Sequence, residues 1–179
     1  MLFSTTEEQA IDAASKIKLL LLDVDGILSD GRLYFSNSGE EIKAFHSLDG
    51  HGIKMLMSTG VAVGIITGRT SAIVSKRAAD LGVGILYQGR EDKIDVLQEV
   101  SKDQDIPLNA ICYAGDDLPD LPVLRAVGLS FSVPGAHYAV KNAVHVVTAR
   151  HGGEGAVREI TDFILAAQGN LQPFLGPPT

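Results

Sequence analysis

The sequence predicts an α/β protein, a Rossmann-like parallel sheet with helices on both faces, and three observations carry that reading. Apolar runs alternate with segments of helical period almost from end to end. The runs are continuous rather than alternating, as in strands buried on both faces. Three of them stop abruptly in polar clusters: Asp23/Asp25, Thr67 and Asp116/Asp117/Asp120.

Taken in order, Glu7 to Lys16 predicts a short helix capped by Thr5 or Thr6, and Ile17 to Leu22 the first buried strand. Arg32 to Phe35 and Glu41 to Phe45 flank Ser36-Asn37-Ser38-Gly39 and predict a hairpin. It has no place in a doubly wound sheet, so it is expected to project from the body. A helix is expected from Gly52 to Ser58, stopped by Gly60. Val61 to Ile66 predicts a strand ending in Thr67-Gly68-Arg69. A helix over Ser71 to Leu81, a strand over Gly84 to Tyr87 and a helix over Glu91 to Lys102 follow, the last with Ile94, Leu97 and Val100 on one face. Ala110 to Ala114 predicts a strand running into Gly115-Asp116-Asp117. A short helix over Pro119 to Ala126 then precedes strands over Leu129 to Val133 and Val144 to Val147, and a last helix over Ala156 to Ala167. The tail, Gln172 to Thr179, holds three prolines and is expected to be mobile from about residue 170. With no long linker, internal repeat or low-complexity tract, one domain over residues 1–179 is expected.

Composition narrows the function. The 179 residues carry 22 acidic and 15 basic side chains, for a net charge of -7. That balance supplies no basic stripe to displace phosphate counterions, so nucleic acid is not an expected partner. A small anionic substrate needs only a few placed cations and a metal. The one cysteine, Cys112, sits in an apolar run and reads as a core thiol. The first ten residues are acidic and do not read as a secretory signal, and the apolar run Leu19 to Leu22 is far too short to span a bilayer. No membrane association and a cytoplasmic location are therefore expected.

Open α/β sheets bind ligands at the carboxyl ends of their strands, so the three polar clusters are expected to meet in one crevice. Converging carboxylates are costly, because two unit charges about 4 Å apart repel by about 4 kcal/mol at an effective dielectric near 20. Either they are partly protonated or a cation lies among them. Oxygen ligands without histidine or cysteine at useful spacing select a hard ion such as Mg²⁺. Beside such an ion, ionised Asp23 is placed to attack phosphorus. Asp25 is expected to need the turn after the strand to bring it round to the same crevice, where it would protonate the leaving oxygen and later activate water. Thr67 offers a hydroxyl, its neighbours backbone N–H groups, and Lys93 a point charge to phosphate. Alone, each cluster reads as an ordinary turn, cap or solvated helix residue; it is their joint order that points to function.

The runs LLLLDVDGILSDG and IITGR, Lys93 in QGREDK, and GDDLPDL together resemble the four motifs of the haloacid dehalogenase superfamily of phosphohydrolases, from about Lys18 to Asp120. FHSLDGHGIKMLMSTG, TGRTSAIVSKRAADLG, LYQGREDK and GGEGAVREI extend the resemblance, over nearly the whole chain, to the family of 3-deoxy-D-manno-octulosonate 8-phosphate phosphatases. The resemblance implies Asp23 as nucleophile and metal ligand. It implies Asp25 as acid/base, giving its backbone carbonyl to Mg²⁺, and Asp116 as the remaining protein ligand. Asp117 and Asp120 would support the metal shell, Thr67, Gly68 and Lys93 would hold phosphate, and Arg69 and Arg77 would face substrate or a neighbouring chain. It also implies the absence of a large cap domain and a homotetramer in which four hairpins pack together, a neighbouring subunit closing each site with help from Gly152 to Gly155.

Three positions depart from the family pattern. Leu48 stands where a basic residue is expected, Glu154 lies between glycines where many members are basic or polar, and Ser29 replaces threonine. The first two bear on the sugar acid rather than on the phosphatase chemistry. Two alternatives stay open: a phosphatase of a nine-carbon keto-sugar acid phosphate, and a non-catalytic assembly module like those appended to nucleotide-sugar synthetases. A phosphate-accepting signalling receiver is rejected by motif order, since here Thr67 and Lys93 precede the second acidic cluster. Of the five histidines, His46 and His51 flank the expected approach to the site, and His137, His145 and His151 read as ordinary surface or core residues.

Overall fold

The structure, a computed structural model, describes residues 1–176. Its strands are β1 (Leu2–Phe3), β2 (Leu19–Leu22), β3 (Tyr34–Phe35), β4 (Glu41–Ile42), β5 (Ala62–Ile66), β6 (Ile85–Tyr87), β7 (Ile111–Ala114), β8 (Leu129–Ser132) and β9 (Val146–Val147). The helices are α1 (Glu7–Ser15), α2 (Ser47–Ser58), α3 (Ala72–Leu81), α4 (Lys93–Asp103), α5 (Leu121–Ala126), α6 (Tyr138–Lys141), α7 (Ala156–Ala167) and α8 (Gln172–Leu175). Seven strands form one sheet in the order β1-β9-β8-β7-β2-β5-β6, parallel except at β1, while β3 and β4 pair separately as the hairpin.

The continuous apolar runs explain the centre of this sheet. Every residue of β2, β7 and β8 is buried, which requires cover on both faces. Leu19 to Leu22 are fully enclosed, each worth about 1.5–3 kcal/mol of burial. Register then aligns the strand ends: Leu22 lies opposite Ile65 on one side and Ala114 on the other. The chain builds outward from β2 through β5 to β6, then returns to the other side of β2 for β7. The polar clusters therefore leave the sheet side by side at its topological switch point, where such sheets open a crevice.

Several boundaries differ from expectation, each for a physical reason. Helix α2 starts at Ser47, five residues before Gly52, with His46 Nδ1 accepting from Leu48 N at 3.2 Å as its cap. Gly50 and Gly52 lie inside it because the helix is packed too closely for side chains. A Cβ on Gly50 would meet Arg77 Nη2 at 2.2 Å, and one on Gly52 would meet Thr161 Oγ1 at 2.3 Å. Strand β1, too short for a periodicity signal, caps the sheet edge by pairing antiparallel with β9. Helix α6 is a single turn capped by His137. Within the stretch expected to be mobile, α8 forms one helical turn, and 177–179 lie outside the described residues.

Candidate active site

Asp23 continues the sheet by one residue, its N–H donating to Ala114 O at 3.0 Å. The Val24 carbonyl then accepts from the N–H groups of Ile27, Leu28 and Ser29 at 3.2, 2.9 and 2.9 Å, which winds the chain into a tight turn. Asp25 is the first residue of that turn, so the chain turns where the sequence predicts that it should. Val24 is fully buried, and both aspartates line the cleft. Gly26 has φ +92°, and a Cβ there would lie 2.1 Å from Asp116 Oδ2. The lack of a side chain there is what admits Asp116 beside the end of β2.

Below the cleft floor the charges are held by a buried network. Lys93, the first residue of α4, is 5% exposed and donates to Asp23 Oδ1 at 2.8 Å and Asp120 Oδ1 at 2.7 Å. Tyr113, fully enclosed on β7, donates its hydroxyl to Asp120 Oδ1 at 2.6 Å. Asp120 Oδ2 accepts from the N–H groups of Asp116 and Asp117 at 3.0 and 3.1 Å. Both oxygens of Asp120 are thus saturated by donors, which makes it a brace for the Asp116–Asp117 loop. Asp23 spends only Oδ1 on the lysine, and the Asp116 carboxylate forms no hydrogen bond among the described residues.

Electrostatics single out this cluster. Oxygens of Asp23, Asp116 and Asp120 all lie within 4.8 Å of one another. Burial pushes the Asp23 carboxyl up, Lys93 pulls it down and Asp120 adds to the rise, leaving it at about 7. Burial first, then Asp23, Asp120 and Asp117, likewise push Asp116 up to about 7. Burial draws the Lys93 ammonium down, but the two carboxylates outweigh it and the net shift is upward. One lysine among three carboxylates leaves negative charge uncompensated. The free oxygens of Asp23 and Asp116 form an all-oxygen donor set that fits a hard divalent cation.

The cleft above has a volume of about 600 Å³ and is lined by Asp23, Asp25, Thr67, Gly68, Arg69, Lys93, Asp116, Asp117 and Asp120. Thr67, at the end of β5, is buried and presents its hydroxyl beside the N–H of Arg69. A Cβ on Gly68 would meet only Glu91 Cγ at 3.8 Å, so the space over this backbone is open to a ligand. Arg77 is not among the lining residues; its guanidinium lies 5.7 Å from the centre of the Phe45 ring. His46 and His51 do not line the cleft either, His46 serving as the cap of α2. A second cleft of about 480 Å³ adjoins the first through Gly31 and Asp116, and Arg32, His151 and Glu154 line it. Gly152 and Gly153 press their backbone onto the catalytic turn, where a Cβ on Gly152 would meet Gly26 O at 1.7 Å.

Sequence reasoning missed Tyr113, Lys43, Glu41 and His151. Tyr113 lay hidden inside an apolar strand, although a tyrosine there must find a partner for its hydroxyl. Lys43 and Glu41 share the inward face of the hairpin through the period-2 rule, a signal that is visible only once the inward face is known.

A buried lysine bridging Asp23 at a strand end and Asp120 in the loop beyond β7, with a hydroxyl and a carboxylate cluster around an open cleft, defines a phosphohydrolase site on a haloacid dehalogenase-type sheet. The comparisons agree. A profile described as haloacid dehalogenase-like hydrolase matches residues 86–160. The 3-deoxy-D-manno-octulosonate 8-phosphate phosphatase of Yersinia pestis is 42% identical over 174 residues, covering 97% of this chain and 93% of that one. Among solved structures, a probable YrbI family phosphatase from Pseudomonas syringae superposes with a TM-score of 0.93 at 47% identity, covering 96% of this chain and all of the other (100%). The Moraxella catarrhalis 3-deoxy-D-manno-octulosonate 8-phosphate phosphatase, solved in complex with a magnesium ion, a phosphate ion and a KDO molecule, superposes with a TM-score of 0.93 at 41% identity, covering 95% and 98%. The chain belongs to the 3-deoxy-D-manno-octulosonate 8-phosphate phosphatase family of haloacid dehalogenase-like hydrolases, and it is a phosphatase.

Proposed function

We propose that this phosphatase is a Mg²⁺-dependent phosphomonoesterase that converts 3-deoxy-D-manno-octulosonate 8-phosphate to the free sugar acid and phosphate. The observation that carries the reading is the geometry around Asp23: a buried carboxylate with one oxygen on Lys93 and the other facing a cleft lined by Thr67 and Asp116. Family relatives with that substrate in their names support its identity. Asp23 and Asp116, with the backbone carbonyl of Asp25, would hold the ion, which when bound offsets their charge and that of the phosphoryl oxygens.

Asp23 attacks phosphorus, the bond to the sugar oxygen breaks, and Asp25 gives that oxygen its proton. Asp25, now a carboxylate, takes a proton from water as the water attacks the aspartyl-phosphate, which releases phosphate and restores Asp23. Lys93, the Thr67 hydroxyl and backbone at Gly68 hold the phosphoryl oxygens throughout. Asp117 and Asp120 keep Asp116 in place. Arg69 faces the substrate side of the cleft, and Arg77 serves a contact away from it. The enzyme would work in the cytoplasm as a homotetramer, supplying lipopolysaccharide precursor synthesis. Exposed Leu33, Phe35 and Ile42 on the hairpin support assembly, since a lone two-stranded hairpin is marginal in water.

The nine-carbon alternative carries the same phosphate and keto-acid groups, and Glu154, which departs from the family pattern, lines the adjoining cleft beside Arg32 and His151, so sugar length is a separate question from the phosphatase chemistry. Phosphate release from the eight-carbon and nine-carbon keto-sugar acid phosphates, with and without Mg²⁺, tests both. Metal-dependent preference for the eight-carbon acid is expected. Preference for the nine-carbon acid would replace the substrate, and release from neither would favour the assembly-module reading.

A further inference from the structure

Asp25 lies two residues from Asp23 and faces the same cleft, yet its carboxylate stands outside the Asp23–Asp116–Asp120 cluster. The hairpin accounts for this. Glu41, Lys43 and Phe45 alternate inward while Ile42 and Ala44 are exposed, so one strand of the projecting hairpin delivers two charged side chains to the cleft residues Asp25 and Arg69 of its own chain. The Lys43 side chain is 1% exposed, and its ammonium bonds Asp25 Oδ1. Arg69 Nε approaches the other oxygen, Asp25 Oδ2, at 3.7 Å. Glu41 Oε1 stands 3.6 Å from Lys43 Nζ and 3.7 Å from Arg69 Nη2, while Glu41 Oε2 accepts from Ser71 Oγ, the cap of α3, at 2.6 Å. Glu41 Oε1 is buried and accepts no hydrogen bond, so its role here is electrostatic: it counters both cations that flank Asp25.

We propose that Lys43, anchored by Glu41, is the positioning residue that draws the Asp25 carboxylate toward the hairpin and holds it over the leaving-group side of the cleft. Among the described residues Lys43 has no other carboxylate partner, so this pair orients it. Asp25 has Lys43 on one oxygen and Arg69 at 3.7 Å from the other, with a 3.4 Å bond from the Ser29 hydroxyl, so the buried lysine makes its closest contact. Without Lys43 only the longer Arg69 and Ser29 contacts hold the carboxylate, and a misplacement of about 1 Å in a proton-transfer group costs about 10²-fold in rate. The hairpin is therefore part of the catalytic apparatus in cis, independently of any contact it makes with other chains.

This inference rests on the proposed acid/base role of Asp25, and the test separates the two. Lys43→Met, Lys43→Arg, Asp25→Asn and the Lys43→Met/Asp25→Asn double variant are compared in steady state on the sugar acid phosphate, and in stopped flow on an aryl phosphate. Melting temperature and oligomer mass are measured alongside. Lys43→Met is expected to lower kcat about 10- to 100-fold with KM changed by less than about threefold, and Lys43→Arg to recover part of the loss. On the aryl phosphate, whose leaving group needs no proton, Lys43→Met gives a burst of phenol followed by slow turnover, because water activation is what Asp25 has lost. The double variant is expected to be no slower than Asp25→Asn alone. If Asp25→Asn is inactive but Lys43→Met stays within about twofold of the parent, Lys43 positions nothing and the Asp25 role survives. Additive losses, or a change confined to KM, would likewise overturn the positioning role. An active Asp25→Asn would remove both readings. Should Lys43→Met not fold, Lys43→Gln carries the same comparison.

Discussion

The floor of the cleft and the hairpin above it are built on opposite terms. The floor consists of strand ends locked in register, with Asp23, Lys93, Tyr113 and Asp120 bonded in a continuous buried network. Its shape follows from the core, and Lys93, Tyr113 and Asp120 are all bonded within it while Asp23 keeps one oxygen free. The hairpin has strands of only two residues, exposes Phe35 at 59% and Ile42 at 58%, and is tied to the body by the inward charges of Glu41 and Lys43. The difference teaches that the floor is fixed by burial and register, whereas what stands over the cleft is held by a few ionic contacts. A family can keep the first and vary the second.

The largest effect expected of that division is at Asp23. Asp23→Asn should lower turnover by at least about 10³-fold while the fold persists, because the nucleophile acts as a unit with its neighbours. Substantial activity in this variant, measured by phosphate release, would break the floor's side of the comparison. Lys93→Met comes next. It leaves Asp23 and Asp120 facing each other without their shared cation, and breaking a buried pair in this way costs about 3–5 kcal/mol. Denaturant unfolding at neutral pH checks the loss, and recovery at acid pH, where the carboxylates protonate, would identify charge as its cause.

The same cluster sets a pH dependence. Asp23 and Asp116 stand at about 7 in the folded protein against 3.8 ordinarily, so between these values the folded state binds more protons than the unfolded. Stability of the metal-free protein should therefore fall as pH rises from about 4 to about 7, and Mg²⁺ should restore it most at the upper end. Melting temperatures across that range, with Mg²⁺ or with a chelator, measure both slopes. A metal-free curve that rises with pH would contradict the uncompensated cluster.

Smaller effects remain. Tyr113→Phe removes one donor from Asp120 and should cost about 1–3 kcal/mol, with a modest loss of kcat as the Asp116 loop loosens. Phe35→Glu with Ile42→Lys should change the stability of the chain by less than about 0.5 kcal/mol, since neither side chain is buried within it. The pair should nevertheless reduce the assembled mass in light scattering. An unchanged mass would show that the hairpin's outer face takes no part in assembly.

Legibility in the sequence follows the same boundary. The runs Leu19 to Leu22, Ala62 to Ile66 and Ile111 to Ala114 could be read because burial on both faces leaves an unbroken apolar signature. Nine of the ten named site residues line one cleft because parallel register leaves them side by side, a consequence of local pattern plus one topological rule. What could not be read depends on distant packing. The start of α2 was obscured by Gly50 and Gly52, whose reason is the approach of Arg77, Arg158 and Thr161 from other elements. Lys43 resembles any hairpin lysine until its partner Asp25, eighteen residues away, is placed beside it. His151 lines the adjoining cleft only because glycines at 152 and 153 let the backbone press onto the catalytic turn.

The central claim is that Asp23 carries the phosphoryl group. Asp25→Asn, incubated with Mg²⁺ and an aryl phosphate and quenched in acid, should accumulate the intermediate because water activation is lost. Peptide mass spectrometry should then find one phosphoryl group on the tryptic peptide from Leu19 to Arg32, with fragmentation placing it on Asp23. A phosphoryl group on any other residue, or release of phenol with no phosphorylated peptide, would contradict the account.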